Sequence, residues 1–125
     1  MGVPGIEEKY GCAFKDFSPI NDGGGPLTVD ALLKGDVQVA NIYTTSPAIA
    51  ANDLVSLEDP ENNFVAQQVL PLVNDELVSD KATEVLNQVS AKLTTEDLIE
   101  LNTRVSGDEK ADPAAVAGDW VEENL

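Results

Sequence analysis

The sequence predicts an α/β fold, and three observations predict it. From Gly23 to Phe64 the residues run as glycine turn, helix, strand, polar turn, short helix and strand, and a helix joined to a strand by a short connection is the α/β pattern. Val37, Val39 and Asn41 alternate with Gln38, Ala40 and Ile42. Both faces of that stretch are largely apolar, as expected of an interior, parallel strand. After Asn74 the character changes to pure helix, so C-terminal helices follow the α/β part.

Pro4 suits the first position of a short helix reaching Lys9, and Gly11 stops it. Phe14, Phe17 and Ile20 flank a short extended piece. Asn21 to Gly25 is a turn of residues that tolerate positive φ. Pro26 or Leu27 opens the next helix, Val29, Leu32 and Leu33 form its apolar side, and Gly35 ends it. The strand of residues 37–42 closes at Thr44-Thr45-Ser46-Pro47. A short helix is expected over Ala48–Ala51, a short strand over Leu54–Leu57, and a polar turn over Glu58–Asn63. Phe64–Val73 forms a longer extended segment, and Pro71 within it favours an edge or a kink.

A helix is expected over Asp75–Leu93, with Val78, Ala82, Val85, Leu86, Val89 and Leu93 on one face. Thr94 caps the next helix, with Asp97 as its third-position acid in a capping box. Leu98, Leu101 and Val105 form the inner face, and Ser106-Gly107 ends it. Asp112 caps the last helix and Pro113 takes its first position. Val116, Ala117, Trp120 and Val121 give that helix a stripe, with Trp120 docking it.

A chain of 125 residues allows one modest core. Its formal net charge of -16, from 23 acidic and 7 basic residues, repels phosphate and makes nucleic acid and anionic membrane poor partners. It suits a cationic ligand, a basic protein surface or plain solubility. With no histidine and one cysteine, an internal disulfide and a Ser–His–Asp triad are excluded, and neither a zinc site nor any other cofactor is expected. Cys12 is expected as a small filler, buried or half-buried beside a turn. The start, MGVPGIEEKYG, has no basic n-region and no apolar h-region, so it lacks signal-peptide character. No apolar run is long enough to span a bilayer. By itself the chain is expected to stay where it is made, and a piece of an exported protein would look the same.

Two places offer binding chemistry. Gly23-Gly24-Gly25 before a helix leaves backbone N–H groups that can hold an anion or carboxylate, but it lacks the partners of a nucleotide loop; the alternative is a tight packing turn. Tyr43-Thr44-Thr45-Ser46 follows the expected interior strand, where crevices of open α/β sheets lie. Tyr43 offers a ring face to a quaternary ammonium ion, which makes no hydrogen bond. Thr44 and Thr45 offer hydroxyls; the alternative is strand-end packing and helix capping. Glu58, Asp59 and Glu61, and Glu7 and Glu8, have the pattern of solvated runs and not of catalytic carboxylates. No nucleophile–base pair can be built, so no enzyme is expected.

The joined stretches PGIEEKYG, FKDF, INDGGGPLTVDALLKGDVQVANIYTTSPAIAANDLVSLEDPENNF, AQQVLPLV, LNQVSAKLTTEDLIELNTRV and DPAAVAGDWVEENL resemble the C-terminal part of osmoprotectant-binding proteins of ABC importers. That group binds glycine betaine, carnitine, choline and proline betaine. The resemblance covers essentially the whole chain and implies a partial type II periplasmic-binding-protein-like lobe followed by C-terminal helices. Residues 1–74 would be part of the second lobe of a two-lobed protein, and residues 75–125 a helical segment returning to the first.

The resemblance further implies an extracytoplasmic parent that closes on its ligand and delivers it to an ABC permease. Tyr43 matches an aromatic position on the ligand's trimethylammonium group. Gln67 stands where many members carry a second tyrosine, and Ser46 where members commonly carry aspartate. The ligand-binding candidates are Tyr43, Thr44, Thr45, Gln67 and Gly24, in a site that is incomplete within this chain. Uncovered apolar faces suggest a homodimer, formed by exchange of the C-terminal helices. The alternative function is an acidic protein–protein interaction or homodimerisation domain with no small ligand.

Overall fold

The computed structural model of the chain describes residues 2–125. Six helices follow in order: α1 (Gly2–Tyr10), α2 (Pro26–Leu33), α3 (Ala48–Ala51), α4 (Asp80–Lys92), α5 (Thr95–Ser106) and α6 (Pro113–Asn124). They fall into two compact units. The chain through Tyr43 together with Ala48–Gln67 makes the first, and Thr44–Pro47 together with Gln68–Leu125 makes the second.

Among the described residues there is no strand and no sheet. The expected α/β class, and with it the type II lobe, is therefore corrected to helices joined by irregular segments. Residues 37–42, 54–57 and 64–73 lack regular structure. Alternation records which side chains would share a face, but a strand exists only when a neighbour supplies the ladder of N–H and C=O partners. Without that neighbour the side chains stay in solvent: Val39, Val55, Leu57, Val65 and Leu72 are all exposed, Leu72 to 94%.

The helices follow local rules. α2 starts with Pro26 at its first position, where the missing N–H costs nothing. It ends where Gly35, at φ +78°, lets its own N–H reach the Leu32 carbonyl (3.1 Å) and the Asp36 N–H reach Ala31 (3.0 Å), closing carbonyls the helix leaves open. α1 begins at Gly2, not at Pro4, and stops before Gly11, whose φ is +66°. α4 begins five residues later than expected. The Ser79 side chain accepts from the Ala82 N–H and caps it, and residues 75–77 form a turn instead. Its stripe is only half-covered: Val78, Leu86, Val89 and Leu93 are half-buried, while Ala82 and Val85 are exposed.

In the first unit α1 is locked to the turn over residues 59–63. The Tyr10 hydroxyl donates to Asp59, and the Glu61 N–H donates to the Tyr10 hydroxyl (2.9 Å). Asp59 also accepts from the N–H groups of Asn63 (2.9 Å) and Phe64 (2.7 Å). Lys9 Nζ donates to the carbonyls of Glu61 (2.6 Å) and Asn62 (3.0 Å). Beneath this lock Asn63 is buried, with Gly5 directly against its side-chain amide.

In the second unit α5 and α6 pack on each other. The Thr94 hydroxyl accepts from the Asp97 N–H (3.1 Å) while the Asp97 carboxylate accepts from the Thr94 N–H (2.8 Å), the expected capping box. Asp112 Oδ1 accepts from the N–H groups of Ala114 and Ala115, both at 3.0 Å. Val116 (1% exposed) and Trp120 (8%) form the buried centre of α6, so the tryptophan docks its helix as expected. Arg104 pairs with Asp119 at 2.9 Å and Glu109 at 3.5 Å. Cys12 is exposed, which corrects its expected role as a filler.

Gly5→Ala is expected to destabilise the chain by roughly 1–3 kcal/mol, the usual cost of overpacking. The added methyl would collide with the Asn63 amide and lift α1 from the turn. Urea unfolding followed by circular dichroism measures the effect; an unchanged midpoint would mean that α1 is not seated as described.

Candidate ligand-binding site

The Gly23–Gly25 turn belongs to the first unit and is shaped by one carboxylate. Asp22 accepts from the N–H groups of Leu27 (2.8 Å) and Thr28 (3.1 Å) and from the Thr28 hydroxyl (2.5 Å). Its carbonyl accepts from the Gly25 N–H at 3.2 Å. The Thr28 hydroxyl, then the backbone N–H groups of Thr28, Leu27 and Gly25, hold the Asp22 carboxyl below the usual carboxylate range despite partial burial. The anion cradle expected at this helix start is thus filled from within the chain, by a side chain that suits the positive end of the helix dipole.

Gly24 is half-buried at φ +78°. A Cβ there would sit 2.7 Å from the Asn41 carbonyl oxygen and 3.0 Å from the Ile42 Cα. The glycine turn therefore lies tightly against the backbone that leads into Tyr43. Tyr43 itself is 62% exposed, leaving its ring available to solvent. Gln67, at the end of the first unit, is also exposed.

Thr44 and Thr45 belong to the second unit, in the short piece Thr44–Pro47. Thr44 is exposed and Thr45 half-buried. The Thr45 carbonyl accepts from Asn102 Nδ2 of α5 at 3.0 Å. Elsewhere in the second unit, Asp97, Glu100, Asp119 and Glu123 line a groove between α5 and α6, with Arg104 and Trp120 among them. The Trp120 indole N–H is buried without a hydrogen bond of good geometry, although it is close enough to Asp97 to favour the ionised carboxylate. That influence is minor: the Thr94 N–H and hydroxyl are what chiefly hold Asp97 below the usual carboxylate range. Among the described residues no cluster of three acidic, cysteine or histidine side chains is arranged for a metal ion, and no helix is long and apolar enough to cross a membrane.

Residues 2–123 match the substrate-binding domain of the ABC-type glycine betaine transport system. This chain belongs to that family. Its members are substrate-binding domains and not enzymes, and the role of the domain is binding a glycine-betaine-type substrate for ABC transport. The match spans nearly all of the chain, including both units and every candidate residue from Gly24 to Gln67.

Two residues that shape the candidate segments had no assigned role in the sequence. Asp22 was legible only as part of a glycine-rich turn, because it reaches the start of α2 from three residues before the Gly25 N-cap, outside the usual cap position. Asn102 carries no local signal, because its partner lies 57 residues away.

Gly24→Ala is expected to cost at least about 1–2 kcal/mol, the penalty of a left-handed backbone with a Cβ. It should also shift the amide resonances of Ile42 and Tyr43, which an amide NMR spectrum reads directly; unmoved peaks would contradict the close approach.

Acid dependence follows from Asp22, Asp59 and Asp97, whose folded-state pKa values are all lowered. Their stabilisation is fully present above the ordinary aspartate value of about 3.9 and is lost as pH falls through the lower folded values. The loss should therefore appear only below about pH 4. Thermal melts of the wild type and Asp22→Asn across pH 2–7 test this. The variant should show a flatter acid limb, and parallel curves would refute it.

Proposed function

We propose that the chain carries part of a site for a quaternary-ammonium osmoprotectant, glycine betaine, choline or carnitine, which its parent protein delivers to an ABC permease. The observation that carries this reading is the run Tyr43-Thr44-Thr45, where an exposed ring is followed directly by two hydroxyl side chains. The trimethylammonium group has no hydrogen to donate and no lone pair to accept with, so a ring face is its natural contact. Thr44, Thr45 and the Gln67 amide supply donors for the carboxylate or hydroxyl end of the ligand. Gly24 acts by backing the segment that carries Tyr43.

The site is partial. One exposed cation–π contact is worth about 0.5–1 kcal/mol, whereas even millimolar affinity needs about 4 kcal/mol. The chain alone therefore binds weakly, and the remaining rings and the basic group for the carboxylate lie on other segments of an extracytoplasmic parent. In that parent, residues 1–74 belong to the second lobe and residues 75–125 return to the first. Net charge separates the ligands: the -16 chain attracts cationic choline but gives no net pull on zwitterionic betaine or carnitine.

A second reading is self-association through apolar side chains left in solvent, such as Val55, Leu57, Val65 and Leu72. It favours a homodimer with no small ligand.

Amide NMR titration with glycine betaine and choline to tens of millimolar tests the first reading. Shifts should saturate and cluster at Tyr43, Thr44, Thr45 and Gln67, and choline binding alone should weaken with added salt. Peaks that never move would overturn it. Sedimentation of the same samples decides the second, which a strict monomer at high micromolar concentration would refute.

A further inference from the structure

Asn102 lies on α5, a helix held at both ends. Its start is closed by the Thr94–Asp97 capping box, and its last turn is tied by Arg104 to Asp119 of α6 (2.9 Å). The Arg104 carbonyl also accepts from the Ala111 N–H at 3.0 Å. Asn102 therefore presents its side-chain amide from a rigid base. That amide donates to the Thr45 carbonyl at 3.0 Å, across 57 residues of chain. Thr44–Pro47 is an irregular segment with no ladder of its own, and all four residues cluster with the C-terminal helices.

A carbonyl that accepts from a fixed donor has its peptide plane fixed with it. The plane here joins Thr45 to Ser46. Its orientation restrains ψ of Thr45 and φ of Ser46, and with them the setting of the Thr45 side chain.

We propose that Asn102 is a positioning residue for the ligand-contacting turn: it holds the Thr45 carbonyl and so orients Thr45. The inference rests on the proposed osmoprotectant site for its functional half. It also assigns α5 a part in binding although the helix contributes no ligand-contacting group of its own. Nothing in the local pattern of α5 marks Asn102 for this role, since its neighbours Leu101 and Thr103 are occupied with packing and with the Ile99 carbonyl.

The test uses the full chain with Asn102→Ala and Asn102→Asp. Both remove the donor; alanine is also the stronger helix former, so α5 is not weakened by it, and aspartate keeps the shape. Three readouts are taken: the Thr45 carbonyl carbon shift, hydrogen exchange at Ser46, and glycine betaine affinity by amide titration. Both variants should move the Thr45 carbonyl shift upfield, speed exchange at Ser46 and weaken betaine binding about three- to ten-fold, the usual effect of one hydrogen bond. The Arg104 side-chain resonance and the melting temperature of Asn102→Ala should stay near wild type.

An unchanged Thr45 carbonyl shift in both variants overturns the proposal. So does a moved shift with unchanged affinity, which would leave Asn102 a structural contact only. If the wild type itself shows no saturating shifts with betaine, the osmoprotectant reading fails, and the functional half of the proposal falls with it. The carbonyl shift still decides separately whether Asn102 holds the turn.

Discussion

Carboxylates that accept backbone N–H groups hold the irregular parts of this chain in place. Asp22 gathers the start of α2, Asp59 gathers the turn facing α1, Asp97 closes α5 and Asp112 closes α6. With no sheet among the described residues, loop N–H groups have no ladder to join, and they need other acceptors. An ionised side chain is a strong acceptor, and at a helix start its charge also meets the favourable end of the dipole. The same residues contribute to a net charge of -16, whose self-repulsion salt screens. The acids are thus both the local fasteners of the chain and a source of its electrostatic strain.

That arrangement suits two units that each bury few apolar side chains. Among the described residues Val29 is the buried hydrophobic side chain of the first unit and Val116 and Trp120 are those of the second, and each is worth only about 1.5–3 kcal/mol when fully buried. Order at the candidate binding segments therefore comes from polar contacts more than from packing. Gly24 lets the turn close on the backbone of Asn41 and Ile42, one residue before Tyr43. Asn102 holds the carbonyl of Thr45 from α5. Ring and hydroxyls are adjacent in sequence, yet each is steadied by contacts within its own unit.

The missing strands have one origin. The alternating residues of 37–42 and the apolar run of 64–73 have the composition of strands, but strand formation depends on a second segment lying alongside. Residue pattern encodes a preference for a pleated, half-buried surface and not the presence of its partner. The late start of α4 is a smaller case of local competition. Asp75–Leu77 fit a helix by periodicity, yet Ser79 offers a capping oxygen four residues on, and the chain turns before it. Cys12 was expected to be covered, and its exposure reflects the lack of any packed layer over that loop.

By itself the sequence determined that six helices form and where most of them stop, together with the caps of α5 and α6, but not the starts of α1 and α4. Pro26, Gly35, Thr94 with Asp97, and Asp112 with Pro113 act within a few residues of themselves, so their effects can be seen without the rest of the molecule. It also carried the family, because the joined stretches from α1 to α6 match as a whole. Only the tertiary structure decided that Asp22 fills the helix start, that Gly24 lies against Asn41, that Asn102 reaches Thr45, and that the extended segments stay unpaired. The Asp22 contact closes within six residues, but the others depend on distant parts of the chain, and such contacts are set by how the whole chain closes, a cost that no local pattern records.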